Sequence, residues 1–329
     1  MAYGQKGNFV LAFTRRADGS LVQQGVFATG GAGAPVYGSH RPLILGAGGK
    51  WLIAANTGSN DVSVFQVCSN GLVLRSRAAA GTGPVSLALW NDKLLYVASY
   101  TSHDLNAFSL STNGILSPLA NSNRPLPGQY SSAIDLQFTP GGAMLTATDM
   151  VNRLVEMFPL DSGGLAGAPV TMPSAAYGPS GFTYGPWKTF YVAENGMGLP
   201  GAGTVSTYQY STPGALQVLN SSLATTRTAT SAVKVVISGH AYAINDGDGS
   251  ISSFTIAPNG ALTLLLASEA SACAGAEDAA VSRDQRFLYV LSPSSAGICA
   301  YQIQKDGHLA DLPFSNPLPY AMIQGIAAR

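Results

Sequence analysis

The chain has 329 residues, of which 46% are hydrophobic but only 10% charged, with basic and acidic residues balanced at 17 each. An ordinary soluble domain is roughly a quarter charged. Polarity here comes instead from glycine (38 residues) and from Ser, Thr and Asn, a composition that suits short strands joined by many turns. The balanced charge and the lack of a Lys/Arg-dense stretch with interleaved aromatics argue against a nucleic-acid partner. No apolar run reaches the roughly 18 residues of a membrane span. The segment Met1 to Lys6 has no signal-peptide core.

In chain order, a short strand ending in an aromatic opens at Val10–Phe13 and recurs at Val62–Phe65, Leu105–Phe108, Val155–Phe158, Val205–Tyr208, Ile251–Phe254 and Ile298–Tyr301. Six residues after each aromatic stands a glycine: Gly19, Gly71, Gly114, Gly164, Gly214, Gly260 and Gly307. The glycine supplies the positive-φ residue of a tight turn, so each unit is a hairpin. Upstream of six of the seven lies another strand: Trp51–Asn56, Leu94–Tyr100, Met144–Met150, Phe190–Asn195, Ala241–Asp246 and Phe287–Ser292. A shorter one precedes it, as at Leu43–Leu45, Asp135–Phe138, Val233–Ile237 and Asp278–Val281.

Four strands at a spacing of 43 to 52 residues describe a propeller blade. The expectation is an all-β, seven-bladed β-propeller of four-stranded antiparallel blades forming a single domain over 1–329. The blades fall at 40–84, 85–131, 132–178, 179–231, 232–275 and 276–322, with 323–329 joining 1–39 in a closing blade shared by both termini. Ile323–Arg329 reads as an innermost strand with nothing after it, expected to pair in the same blade as Val10–Phe13. That blade's second strand should centre twelve residues before Phe13, at Met1, so it is clipped, as by a removed leader or a trimmed start.

The pattern resembles the lactonase-type seven-bladed propellers, also called YVTN repeats. Leu95-Tyr-Val-Ala-Ser99, Phe190-Tyr-Val-Ala-Glu194 and Leu288-Tyr-Val-Leu-Ser292 are similar to the YVTN strand, and Ser282–Phe287 to the turn before it. The resemblance covers essentially the whole chain. It implies a lactonase-like enzyme, since the family includes 6-phosphogluconolactonases and fungal carboxymuconate-lactonizing enzymes. Phosphogluconolactonase-like members carry Arg-Pro-His and Pro-Arg-His at the channel mouth. This chain departs from them with Ser39-His-Arg-Pro42 and Asn123-Arg-Pro125.

In a propeller, ligands gather at a concave mouth with a few convergent polar groups. Ends of the second strands place Asn56, Tyr100, Asp149, Glu194, Asp246 and Ser292 at that mouth. Starts of the inner strands add Arg41, Ser86, Asp135, Lys234, Asp278 and Gln324. Glu194, Asp149 and Asp135 are the expected acids or bases. Arg41, Lys234 and Arg153 would hold a carboxylate or a developing oxyanion, and His40, Tyr100, His103, Asp246 and Asp278 would complete the substrate contacts. Glu194 stands out because it replaces the usual Asn or Ser and precedes the insertion Gly196–Gly203, a candidate lid. The Gly-x-Gly-x-x-Gly in that insertion has no helix after it, so it does not read as a dinucleotide site.

Asn245–Ser250 lacks the acid that would complete a calcium loop and reads as a turn. The histidines lack zinc spacing. No metal and no cofactor are expected. The function read from the chain is an enzyme acting on a small cyclic metabolite by lactone hydrolysis or formation, isomerisation or cyclisation. The alternatives are a pericyclic or cyclisation catalyst of natural-product biosynthesis, or a non-catalytic ligand- or protein-binding propeller. An exported location is expected from the low charge, the Asn220 sequon and an expected Cys273–Cys299 disulfide with Cys68 free, the alternative being a cytosolic protein with all three cysteines reduced.

Overall fold

A computed structural model describes residues 2–4, 7–34, 39–128, 130–211, 214–236, 238–271, 275–294, 297–312, 316–317 and 323–329. Six antiparallel sheets contain the four strands of a blade. The first blade is Leu43–Leu45, Trp51–Asn56, Asp61–Cys68 and Gly71–Ala79. The second runs through Pro84–Trp90, Leu94–Ser99, Asp104–Leu110 and Leu116–Pro118, with Arg124–Pro125 added to its third strand. The third is Ala133–Phe138, Met144–Asp149, Leu154–Pro159 and Val170–Pro173, and the fourth Pro179–Tyr184, Thr189–Glu194, Thr204–Tyr210 and Leu216–Ala224. The fifth is Thr230–Val236, His240–Asn245, Ser250–Ile256 and Leu262–Ser271. The sixth is Asp278–Val281, Phe287–Ser292, Gly297–Ile303 and Leu309–Asp311, joined by Asn316–Pro317. Among the described residues, no helix is long and apolar enough to cross a membrane.

Among the described residues the propeller therefore has six complete blades, not the seven expected. The remaining sheet has three strands, β1 (Ala2–Gly4), β2 (Gly7–Arg15) and β3 (Leu21–Ala28), all from the N-terminal segment. Among the described residues, 323–329 adds no strand to this sheet, and Ile323 alone sits in an isolated bridge. Instead, Ile323, Ile326 and Ala328 pack with Leu11 and Phe13 against Phe287, Tyr289 and Leu291 of the sixth blade. A side-chain seam stands where a fourth strand was expected. The reason the sequence misleads is that Ile-Gln-Gly-Ile alternates like a strand, and burial of Ile323 and Ile326 satisfies that pattern without a ladder.

Second strands carry the core. Trp51–Asn56, Met144–Asp149, Thr189–Glu194 and Phe287–Ser292 are buried along their whole length, because each faces a neighbouring sheet on both sides. Their tyrosines also bolt consecutive sheets. Tyr96 Oη donates to Gly164 O at 2.7 Å, Tyr191 to Gly260 O at 3.0 Å, Tyr242 to Gly307 O at 2.8 Å, and Tyr289 to Gly19 O at 2.8 Å. The last of these bonds ties the sixth blade to the N-terminal sheet. Replacing Tyr242 with Phe removes the donor to a buried carbonyl and should cost about 1–2 kcal/mol. It is measured as a lower urea midpoint at unchanged m, and a midpoint equal to wild type would reject the bolt.

At the ends of the second strands of the first and fifth blades, a polar side chain clasps the third strand of its own blade. Asn56 Nδ2 donates to Asp61 at 2.6 Å and Ser63 at 2.7 Å, and Asn245 Nδ2 to Ser250 at 3.1 Å and Ser252 at 3.0 Å. In the third blade the corresponding pair is Asp149 and Glu156, two carboxylates. Glu156 is fully buried and neither of its oxygens has a partner. Burial, reinforced by Asp149, pushes its carboxyl from 4.5 up to about 9. The folded protein thus holds a proton that the unfolded chain releases above 4.5. Stability from this group is complete below 4.5 and is lost as pH rises toward about 9. Glu156→Gln should accordingly raise Tm at pH 8 far more than at pH 5, and an equal change at both would show that Glu156 is not protonated in the fold.

Candidate functional site

Four innermost strands begin with a register shift, between Pro84 and Ser86, Ala133 and Asp135, Pro179 and Phe182, and Thr230 and Ala232. A bulge re-aims side chains and ends regular pairing. Here it gathers small polar and charged groups where the strands leave the mouth. The segment Ser39–Arg41, leading into the first blade, reaches across to the others. Ser39 Oγ donates to Val85 O of the second blade at 2.6 Å, and the His40 N–H to Ile134 O of the third at 2.8 Å. His40 Nε2 meets Ser180 Oγ of the fourth at 2.9 Å. Gly181 makes room for this imidazole: a Cβ there would lie 3.1 Å from His40 Nδ1 and 2.9 Å from Ser231 O.

Around His40 lie Asp135, Lys234 and Asp278. Lys234 Nζ pairs with Asp278 Oδ1 at 3.2 Å, and Asp278 Oδ1 also accepts the Ala279 N–H at 2.8 Å. Burial would raise the Asp278 carboxyl, but the Lys234 ammonium and the Ala279 N–H outweigh it and hold the group below its ordinary value. Burial lowers His40 against the pull of Asp278 and Asp135, so the imidazole is neutral. Asp135 Oδ2 accepts from Phe182 N at 2.9 Å and Gln137 Nε2 at 3.2 Å, while its Oδ1 has no partner. Among the described residues, five of the ten buried side-chain polar atoms without a partner sit at these inner-strand starts: His40 Nδ1, Arg41 Nε, Ser86 Oγ, Ser132 Oγ and Asp135 Oδ1. That concentration marks the place where a ligand or solvent has donors and acceptors to meet.

Glu277, one residue before Asp278, was not expected from the sequence. Burial, then the nearby Asp246 and Asp278 charges, pushes its carboxyl up to about 8. Burial likewise raises Asp246. A half-buried acid titrating near neutral pH is suited to giving and taking protons. The signal that could have found it is the run Glu277-Asp278 opposite Asp246, three acids sharing one lysine.

Other expected residues fall elsewhere. His103, at φ 53°, holds Ser131 O through Nδ1 at 2.6 Å and packs between Tyr100 and Tyr130, at ring distances of 6.5 and 6.2 Å. Arg153 lies over Tyr177 at 4.6 Å. These loops give the rim over the second to fourth blades an exposed apolar character, extended by Val151, Met197 and Leu199. Among the described residues, no hydrogen bond or ion pair joins Glu194 or Asp149 to Arg41. Glu194 is buried in the clasp of the fourth blade, accepting from Ser174 (2.8 Å), Ala176 N (2.9 Å), Thr204 (2.7 Å) and Ser206 (2.6 Å). Asp149 accepts from Ser131, from the N–H groups of Val151 (2.9 Å) and Asn152 (3.0 Å), and from Asn152 Nδ2 (2.8 Å). Asp149 is thus spent on the turn that follows its strand, and Glu194 on the third strand of its blade and the segment leading into it.

The insertion after Glu194 folds as a short 3-10 turn, Gly196–Gly198, and runs into a strand, not a helix. In the Asn245–Ser250 turn, Asp248 is taken up by Ser250 Oγ at 2.6 Å. No group of His, Cys, Asp and Glu among the described residues has a metal-binding arrangement. Cys299 is disulfide-bonded and Cys68 is free, while Cys273 lies outside the described residues.

Comparison with solved structures places the fold. A Lactobacillus plantarum protein superposes with a TM-score of 0.78 at 17% identity, covering 98% of this chain and 96% of its own. The periplasmic gluconolactonase of Pseudomonas aeruginosa superposes at 0.77 with 16% identity, covering 96% and 95%. A search of curated proteins finds no significant match. The family profile described as "Lactonase, 7-bladed beta-propeller" matches residues 70–319, well over half of the chain. With this match, the repeat and the six complete blades accounted for, the chain belongs to the lactonase family of β-propellers, from whose description it departs in its three-stranded seventh sheet.

Proposed function

We propose that the protein is a lactonase-like enzyme that hydrolyses a small cyclic ester at the axial mouth, with Glu277 as general base and acid and Lys234 as the cationic anchor. The observation that carries this reading is the convergence of unpartnered buried polar atoms and the Lys234–Asp278 ion pair at the inner-strand starts. Ionised Glu277 takes a proton from a water as its oxygen bonds to the lactone carbonyl carbon. The Lys234 ammonium, held by Asp278, faces the oxyanion that forms. The ring C–O bond then breaks and Glu277 returns the proton to the departing ring oxygen, leaving one hydroxy acid from one lactone and one water. Asp135 and His40 position the inner-strand starts through Phe182 N and Ser180. The exposed tyrosines of the rim suit a ring-shaped substrate. Family membership and the likeness to a gluconolactonase support the choice of a lactone over other cyclic substrates.

The test is hydrolysis of a lactone panel that includes glucono-1,5-lactone. For wild type, kcat/KM rises with pH and levels off near 8, where Glu277 ionises. Glu277→Gln should lower kcat by about 100-fold or more with Tm retained, and Lys234→Met should lower kcat/KM. Absence of turnover of every lactone by wild type, or full activity in Glu277→Gln, overturns the assignment.

We also infer an oxidising, extracytoplasmic location, supported by the disulfide-bonded Cys299 and the low charge, with Cys273 as the partner expected from the sequence. The unfolded, unreduced protein should then titrate one thiol out of three cysteines. Three titrating thiols would remove the disulfide and the location together.

A further inference from the structure

The first two blades differ where their second strands end, and a cavity lies at the difference. In the first blade Asn56 is followed at five and seven residues by Asp61 and Ser63, and in the second Ser99 is followed by Asp104 and Asn106. The preceding chain crosses both positions in the same way: a Cβ at Gly31 would lie 2.4 Å from Asn56 Cγ, and one at Gly81 2.4 Å from Ser99 Oγ. Asn56 bonds Asp61 and Ser63, whereas Ser99 makes no such bonds and its buried Oγ has no partner. Between the end of the first blade and the third strand of the second lies a cavity of about 460 Å³. Ala80, Gly81 and Thr82 line one side, and Asp104, Asn106 and Asn123 the other.

The first blade shows what fills the equivalent space. Its fourth strand sets Arg77 opposite Ser63. The guanidinium takes both oxygens of Asp61, one through Nη2 and the other through Nε at 3.3 Å. A Cβ at Gly30 would lie 3.2 Å from Arg77 Cδ, so the stem runs against the end of the preceding sheet. In the second blade Arg124 stands opposite Leu105, which puts Asn123 beside Asn106, in the place of Arg77. Arg124 itself turns to the third blade, donating to Ala166 O at 2.7 Å. Asn123 Nδ2 donates to Asp104 Oδ2 at 2.6 Å, and Asp104 Oδ1 accepts from Ser102 at 2.8 Å and Asn106 at 3.0 Å. Among the described residues, no ion pair includes Asp104. A short amide in the place of a long guanidinium thus leaves both a negative charge and a volume open. Neutral donors satisfy the carboxylate's lone pairs but not its charge, which a planar cation meets on two oxygens at once.

We propose that the cavity between the first and second blades is a binding site for a small alkylguanidinium, which pairs with Asp104 as Arg77 pairs with Asp61. Its stem lies against Ala80 and Leu119, both of which line the cavity. The volume is that of a small-molecule site, and the proposal commits to a free ligand. None of these residues belongs to the axial mouth, so the site is independent of the catalytic reading.

The experiment is a calorimetric titration of the intact protein, at neutral pH and low ionic strength, with butylguanidinium chloride and with N-butylurea as its neutral isostere. Saturable one-site binding of the cation is expected, about tenfold or more tighter than that of the urea, because a hydrogen bond to an ion outweighs one between neutral groups. Asp104→Asn should weaken the cation by a similar factor of about ten. Asn123→Arg supplies the guanidinium from the chain itself, as the first blade does, and should raise Tm and abolish binding of butylguanidinium. If Asp104→Asn does not fold, the Asn123→Arg variant decides alone. The site is overturned by equal affinity for cation and urea, by undiminished binding in Asp104→Asn or Asn123→Arg, or by the absence of saturable binding. Tighter binding of the peptide Gly-Gly-Arg-Gly-Gly than of butylguanidinium would assign the cavity to an arginine of a protein partner and overturn the free ligand.

Discussion

A blade is a sheet that cannot bury its own faces, and the contact that makes it part of a ring is the hydroxyl of a second-strand tyrosine on the hairpin glycine of the following sheet. Tyr96, Tyr191, Tyr242 and Tyr289 each make this bond. The receiving glycines have φ of 82° to 90°, a left-handed region in which a side chain is strained and from which the carbonyl turns toward the neighbour. The same position must also stay small, since a Cβ at Gly114 would sit 2.6 Å from the Trp51 ring and one at Gly260 2.5 Å from Thr189. Each bond is worth only about 1 kcal/mol. Its importance lies in register: it sets which hairpin meets which strand, and the apolar packing between sheets follows.

Fixing the sheets in this way determines what reaches the axis. Inner strands are short, start with bulges, and deliver serines and acids, not apolar side chains. The Ser39–Arg41 segment then laces the second, third and fourth blades together. A neutral imidazole in that position can bond a serine without adding charge to a space that already holds Asp135, Asp278 and Lys234. The lysine offsets one acid closely, while burial raises the carboxyls of Glu277 and Asp246, the Asp246 and Asp278 charges adding to the rise at Glu277. The near-neutral transition of Glu277 is therefore a product of burial first and of the acids beside it second.

The blade pattern was legible because it rests on two local facts, the aromatic at the end of the third strand and the glycine six residues later. Phe65, Phe158 and Phe254 are indeed buried, and the hairpins lie where the glycines stand. The site was less legible because a strand's end does not reveal where its last side chain turns. Glu194 and Asp149 are taken up by hydrogen bonds, Glu194 with the third strand of its blade and Asp149 with Ser131 and the turn after its own strand. A spacing in the sequence does carry that information: Asn56 is followed at five and seven residues by Asp61 and Ser63, and Asn245 by Ser250 and Ser252. Glu194 has Thr204 and Ser206 at the same offsets plus the five residues of its insertion. Glu277 went unnoticed because its chemistry comes from Asp246, far along the chain.

The seventh sheet shows how a ring is held when strand pairing is incomplete. On one side, Tyr289 bonds Gly19 O, and Arg15 pairs with Asp284 at 2.9 Å. On the other, Asn8 Nδ2 donates to Asn56 Oδ1 at 2.8 Å and to Ala55 O at 3.1 Å, and the Gly58 N–H to Ala32 O at 2.9 Å. Arg329 Nη1 reaches Gly49 O at 3.2 Å, carrying the C-terminal segment to the first blade. These contacts join sheet faces and loops through side chains and turns. Closing the ring and completing the blade are thus separate tasks in this fold.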